Sequence, residues 1–146
     1  KIAEKFGADV LIDTSKENLR EVVKSVGGAD VVYDPVGGDY AEPALRATAW
    51  EGRYLVVGFA AGDIPKIPLN LALLKGCQIV GVFWGAFKGR EVEAHNANVD
   101  ELLKLYGDGH LKPHISSIYS LEEGSKAISD LAERKARGKV IVQVRA

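Results

Sequence analysis

Short runs of β-branched and other apolar residues alternate along this chain with stretches whose apolar positions recur at helical spacing. Ile2, Ala3 and Phe6 fall on one helix face that Gly7 stops, and nothing ahead of them caps it, so the chain is expected to enter that helix partway and to be a piece of something longer. Val10-Leu11-Ile12 predicts a short strand. Thr14 and Glu17 have the spacing of a capping box, and Leu19, Val22, Val23 and Val26 then line one helix face that Gly27-Gly28 end. Val31-Val32-Tyr33 predicts a strand, Asp34 to Gly38 a loop, and the residues to about Ala49 a helix. Gly52 and Arg53 lead into Tyr54-Leu55-Val56-Val57, an apolar strand closed by Gly58. Beyond Pro65 and Pro68, a short helix is expected over Leu69–Leu74 and a strand over Ile79–Trp84. Val92, Val99, Leu102, Leu103 and Tyr106 then give a helix that Gly107-Asp108-Gly109 close.

The tail changes character. Ile115 to Tyr119 reads as extended, Ser120 to Glu123 as a second capping box, and Ala127, Ile128, Leu131 and Ala132 as one helix face. Asp130/Arg134 and Glu133/Arg137 have i,i+4 spacing for ion pairs, Gly138 is the expected stop, and Val140 to Val144 is a final strand. Strands apolar on both faces, alternating with amphipathic helices, belong to a mostly parallel sheet. The fold class is α/β: an incomplete Rossmann-like, doubly wound parallel sheet followed by a C-terminal extended segment, helix and strand. In such sheets ligands bind beyond the carboxyl ends of the strands. Three glycine-bearing segments stand there: Asp34-Pro35-Val36-Gly37-Gly38, Gly58-Phe59-Ala60-Ala61-Gly62 and Phe83-Trp84-Gly85-Ala86.

Composition narrows the functional classes. With 19 Lys+Arg against 20 Asp+Glu, the formal charge of −1 offers no electrostatic footprint for nucleic acid or an anionic membrane. A single cysteine excludes a disulfide framework and an all-cysteine zinc site within the chain. No apolar run approaches a membrane span, so a soluble, cytosolic protein is expected. His95, His110 and His114 show no zinc-ligand spacing with a carboxylate or Cys77, and no metal site is expected. Cys77 has no adjacent basic residue to activate it and reads as a small buried hydrophobe. No nucleophile arrangement such as Gly-x-Ser-x-Gly is legible, and the catalytic residues stay unknown.

The blocks Phe6-Gly7-Ala8-Asp9, Gly28-Ala29-Asp30-Val31-Val32-Tyr33-Asp34-Pro35-Val36-Gly37-Gly38 and Gly52-Arg53-Tyr54-Leu55-Val56-Val57-Gly58-Phe59-Ala60 carry a resemblance. Ile67-Pro68-Leu69-Asn70, Val80-Gly81-Val82-Phe83-Trp84-Gly85 and Arg134-Lys135-Ala136-Arg137-Gly138-Lys139-Val140 extend it. Together they resemble the quinone oxidoreductase (zeta-crystallin-like) branch of the medium-chain dehydrogenase/reductase superfamily, over its C-terminal portion only. The resemblance implies that residues 1–112 are the trailing part of a nucleotide-binding domain and that 113–146 return to a catalytic domain. The family's glycine-rich pyrophosphate turn would precede Lys1.

The resemblance further implies hydride transfer from NADPH (cofactor NADP, with NAD as the alternative) to a quinone or conjugated carbonyl without zinc, and a homodimer formed through the edge strand at residues 79–84. Cofactor contacts fall on Asp34, Val36 and Gly37, on Gly58, Phe59 and Ala60, on Phe83, Trp84 and Gly85, and on Lys135 and Lys139. Each has a structural alternative. Asp34 can be a helix-start cap rather than a general base. Phe59 can be a core aromatic, Trp84 a cap on the sheet, and the two lysines part of a solvated helix end. A non-catalytic module, serving as a fold or dimerisation unit, is the competing reading. A methyltransferase-type sheet, faintly suggested by Asp34-Pro35, is a lesser one that the order of the blocks disfavours.

Overall fold

Pairing of the β-branched runs builds two small parallel sheets. The computed structural model describes residues 2–133 and 135–145. Contacts divide the chain into a unit that runs to Ala86 and another that starts at Phe87.

The first unit begins with α1 (Ile2–Lys5) and α2 (Leu19–Ser25). It continues with β1 (Ala29–Asp34), a 3-10 turn at Gly38–Tyr40, α3 (Ala41–Ala47), β2 (Thr48–Val56), α4 (Asn70–Lys75) and β3 (Gln78–Gly81). Its sheet has the order β1-β2-β3 with both pairings parallel. Parallel neighbours need a crossover, and α3 and α4 supply the two crossovers here. The core forms where they meet the sheet. Ala41 and Leu45 of α3, Tyr54 of β2 and Leu71 of α4 are buried together, with Val32, Val56, Ile67 and Cys77 packed around them. The register sets Val32 beside Tyr54 and Tyr54 beside Ile79, so these side chains share one sheet face. Val31 and Tyr33, on the opposite face of β1, are exposed.

The second unit holds α6 (Val92–Gly107), β4 (Ile115–Ser120), α7 (Gly124–Ala132) and β5 (Lys139–Gln143). Its strands pair in parallel, with Ile118 beside Ile141 and Tyr119 beside Val142, and α7 makes the crossover. The Tyr119 hydroxyl donates to the Asp130 carboxylate, tying β4 to α7. α5 (Trp84–Arg90) spans the boundary between the units. Among the described residues, no helix is long and apolar enough to cross a membrane.

Several expectations need correction. Val10–Ile12 forms no strand, because no neighbour among the described residues offers it a ladder of hydrogen bonds. Thr14 does not cap α2. Its hydroxyl pairs with the Tyr40 hydroxyl at 3.1 Å, while Asn18 Oδ1 accepts from the Glu21 amide at 3.2 Å and is the true cap. Glu17 does reach back, but to the Asp13 amide at 2.9 Å, closing a separate turn before the helix. Substituting Asn18 by alanine is expected to cost about 1 kcal/mol, read as a lower denaturation midpoint.

The helix expected to reach Ala49 ends at Ala47, and β2 begins at Thr48, six residues ahead of its apolar run at Tyr54. The register slips between the Ala29–Thr48 and Val31–Arg53 pairs. Glu51 takes up the slip with φ 59°, its amide held by the Gly76 carbonyl at 2.9 Å. The strand expected to reach Trp84 stops at Gly81. The Val82 amide still donates to Val56 at 2.9 Å, but β2 has ended there, and Trp84 opens α5 instead. α7 stops at Ala132 rather than near Gly138, closed by the Lys135 amide on the Asp130 carbonyl at 2.9 Å. Glu133 therefore lies past the helix and pairs with Lys135 at 2.5 Å, not with Arg137. The Asp130/Arg134 pair falls outside the described residues.

Candidate functional site

Because β1, β2 and β3 run parallel, the segments that leave them emerge at one edge of the sheet. Asp34 organises the first. One carboxylate oxygen, Oδ1, accepts from the Val36 and Gly37 amides, both at 2.8 Å, and the other accepts from the Tyr54 hydroxyl. The second segment is laced to the first through main chain. The Asp34 carbonyl accepts from the Val57 and Gly58 amides at 3.0 and 3.3 Å. Pro35 and Val36 carbonyls accept from Ala60 and Ala61 at 3.1 and 2.9 Å.

The glycines make that lacing sterically feasible. A Cβ on Gly37 would stand 2.9 Å from Phe59 Cδ1, one on Gly38 2.8 Å from the Ala61 Cβ, and one on Gly58 3.3 Å from the Pro35 carbonyl oxygen. Gly37 also has φ 67° and ψ −141°, a conformation essentially reserved for glycine. Asp34–Gly38 and Gly58–Ala61 thus form a single plate of small residues. Phe59 lies across it, 40% exposed, and its ring also lines a cavity of about 160 Å³ with Leu45, Tyr54, Val56 and Ile79.

Electrostatics fit these hydrogen bonds. Burial pushes the Asp34 carboxyl up, but the Tyr54 hydroxyl and the Gly37 and Val36 amides outweigh it and hold the group below its ordinary 3.8. Burial first, and then the hydrogen bond and charge of Asp34, push Tyr54 well above its ordinary 10.0. Asp34 stabilises the fold above its ordinary range, and that contribution is lost as pH falls through the depressed value. Tyr54 contributes below pH 10, and its contribution is lost as pH rises through the raised value. Between those limits the pair holds an ionised acceptor and a protonated donor.

The remaining expected site residues are not among those that lace this plate. Phe83, 80% exposed, and Trp84 follow the end of β3, and a Cβ on Gly85 would meet the Phe83 ring at 3.2 Å. Lys135 and Lys139 belong to the second unit. Lys135 is held by Asp130 at 3.9 Å as well as by Glu133, and the Lys139 amide donates to the His114 carbonyl at 2.8 Å.

Sequence reasoning missed Tyr54 as a member of the site. The signal was strand alternation: Tyr54 sits beside Val32, which puts its side chain diagonal to Asp34 on the same sheet face. No group of three His, Cys, Asp or Glu among the described residues could hold a metal ion.

Comparison with known proteins follows this geometry. A family described as zinc-binding dehydrogenase matches residues 6–142. The chain belongs to that family. Within the zinc-binding dehydrogenases, it is 36% identical to quinone oxidoreductase-like protein 2 homolog of Nematostella vectensis, over 99% of this chain and 40% of that protein. A crystal structure of a Pseudomonas syringae quinone oxidoreductase superposes with a TM-score of 0.80 at 26% identity, covering 97% of this chain and 45% of the other. A mycobacterial protein, Rv1454c complexed with NADPH, shares the fold with a TM-score of 0.84 at 23% identity, covering 98% and 45%. The chain spans about two fifths of the length of the curated relatives it matches. The resemblance to the quinone oxidoreductase branch is borne out by these relatives. The parallel sheet matches the nucleotide-binding part of this family's fold. Despite the family's description, the described residues present no donor set for zinc.

Proposed function

We propose that this chain belongs to a zinc-free oxidoreductase that transfers hydride from NADPH to a quinone or a conjugated carbonyl, and that it forms the carboxyl-end rim on which the nicotinamide half of the cofactor lies. The observation that carries this reading is the glycine plate made by Asp34–Gly38 and Gly58–Ala61 at the carboxyl edge of a parallel sheet. Names of the relatives, quinone oxidoreductases among them, support the substrate class.

Bound NADPH supplies the hydride itself. The chain's residues supply surface and position. Amides of Val36, Gly37 and Ala60 already donate within the plate, so Val36, Gly37, Gly58 and Ala60 offer a flat, small-residue wall rather than N–H donors. Phe59 adds an aromatic side to that wall, which excludes water from a flat ring and fixes its orientation. Phe83, Trp84 and Gly85 extend the rim at β3, and Lys135 and Lys139 are the cationic candidates for the phosphates. Asp34 is a structural acceptor in this scheme, not a base. The division at 112/113 between nucleotide-binding and catalytic segments belongs to the same proposal. So does a homodimer through the outer edge of β3, here Gln78–Gly81, whose described pairing is to β2 alone.

The test is turnover by the full protein that carries this chain, followed as NADPH oxidation with a quinone and with an enone. Consumption with at least one of them is expected, and none with either overturns the reading. The competing reading is a non-catalytic module serving as a fold or dimerisation unit. Calorimetry of this chain with NADPH addresses it, since micromolar binding defeats a purely structural role.

A further inference from the structure

Asp34 presents two oxygens with different surroundings. Oδ1 accepts from the amides of its own loop, whereas Oδ2 accepts from the Tyr54 hydroxyl, and both residues line the cavity with Leu45, Val56, Phe59 and Ile79. A carboxylate oxygen beside aliphatic carbon is unstable there unless something donates to it. Tyr54 is 4% exposed, with its ring fixed in the core between α3 and α4. Its hydroxyl therefore stands at a set place, and the carboxylate must come to it.

We infer that Tyr54 is a positioning residue for the cofactor rim: its hydroxyl fixes the rotation of the Asp34 carboxylate, which fixes the Val36 and Gly37 amides and so the glycine plate against Phe59. The role rests on the reading of the plate as the cofactor's seat. The relay runs through contacts already described. The phenol holds Oδ2, Oδ1 then holds two consecutive amides, and those amides keep Gly37 at φ 67° with the Phe59 ring against it. Without the phenol, the carboxylate is free to turn toward water. The turn would then lose the acceptor that shapes it.

The substitution Tyr54→Phe keeps the buried ring and removes only the donor. In the full protein, selectively labelled with 15N-valine and 15N-glycine, the Val36 and Gly37 amide resonances are expected to titrate together in acid, since both bond the same carboxylate. Tyr54→Phe is expected to move that titration to higher pH, because one hydrogen bond to the ionised form is gone. Asp34→Asn is expected to abolish it, which assigns the signal. A change in stability alone would not shift the midpoint of these two resonances, and identical titrations in wild type and Tyr54→Phe overturn the inference.

NADPH affinity is the second readout. Tyr54→Phe is expected to bind about tenfold more weakly, and Tyr33→Phe, on the opposite sheet face, as tightly as wild type. Wild-type protein that binds NADPH with Tyr54→Phe equal to it overturns the role of Tyr54 alone. Wild-type protein that binds no NADPH overturns the cofactor reading and this role with it.

Discussion

Leu45→Ala is expected to lower stability by about 2–5 kcal/mol, the range for emptying a fully buried leucine site. Leu45 is 1% exposed and sits where α3, β2 and α4 converge, touching the cluster of Ala41, Tyr54 and Leu71. Those neighbours differ in their power to relax. Ala41 is too small to fill the gap, Leu71 is held by the short α4, and Tyr54 is pinned by its hydrogen bond to Asp34. The upper part of the range is therefore expected. Urea denaturation should show a lower midpoint at unchanged slope. A loss below about 1 kcal/mol would mean that the core is not organised around this side chain.

Gly37→Ala should damage both the fold and the site. The backbone there, at φ 67° and ψ −141°, costs a residue with a Cβ about 1–3 kcal/mol. The added methyl would also stand 2.9 Å from Phe59 Cδ1, so the ring must shift. NADPH affinity is expected to fall at least tenfold, together with the denaturation midpoint. Gly62→Ala separates the two effects. Gly62 has φ 100°, but a methyl added there would meet nothing within 4 Å, so that variant should lose stability and keep most of its affinity. Equal loss of affinity in both variants would show that strain, not the position of Phe59, governs the rim.

Much of this was legible in the sequence where local pattern and tertiary context agree. β1 and the turn after it could be read from three β-branched and aromatic residues followed by Asp-Pro-Val-Gly-Gly, because each residue there acts on its own neighbours. Asp34 accepts from two amides of its own turn but is not the helix-start cap expected as the alternative to a base: Gly37 stands at that place, with no side-chain cap. Where the outcome depends on a distant partner, the reading failed. Val10–Ile12 has the composition of a strand, but a strand exists only beside another. Thr14 and Asn18 are both chemically able to cap, and Tyr40, 26 residues away, draws Thr14 off. Ile79–Trp84 is apolar throughout, yet β3 lasts only while β2 continues beside it. Tyr54 looked like one more core strand residue, and only the register between β1 and β2 joins its hydroxyl to Asp34. The glycine-bearing segments stand where ligands bind in such sheets. In the structure the glycines' first use is to let two loops touch.

Three main-chain hydrogen bonds, with a fourth from the adjoining Val57, hold those two loops together, each contributing on the order of 0.5–1.5 kcal/mol. Separating the loops would break all four at once, so neither can swing aside by itself as a lid. Any opening or closing at this rim must carry Asp34–Gly38 and Gly58–Ala61 as one rigid jaw, with the bending taken up elsewhere in the chain.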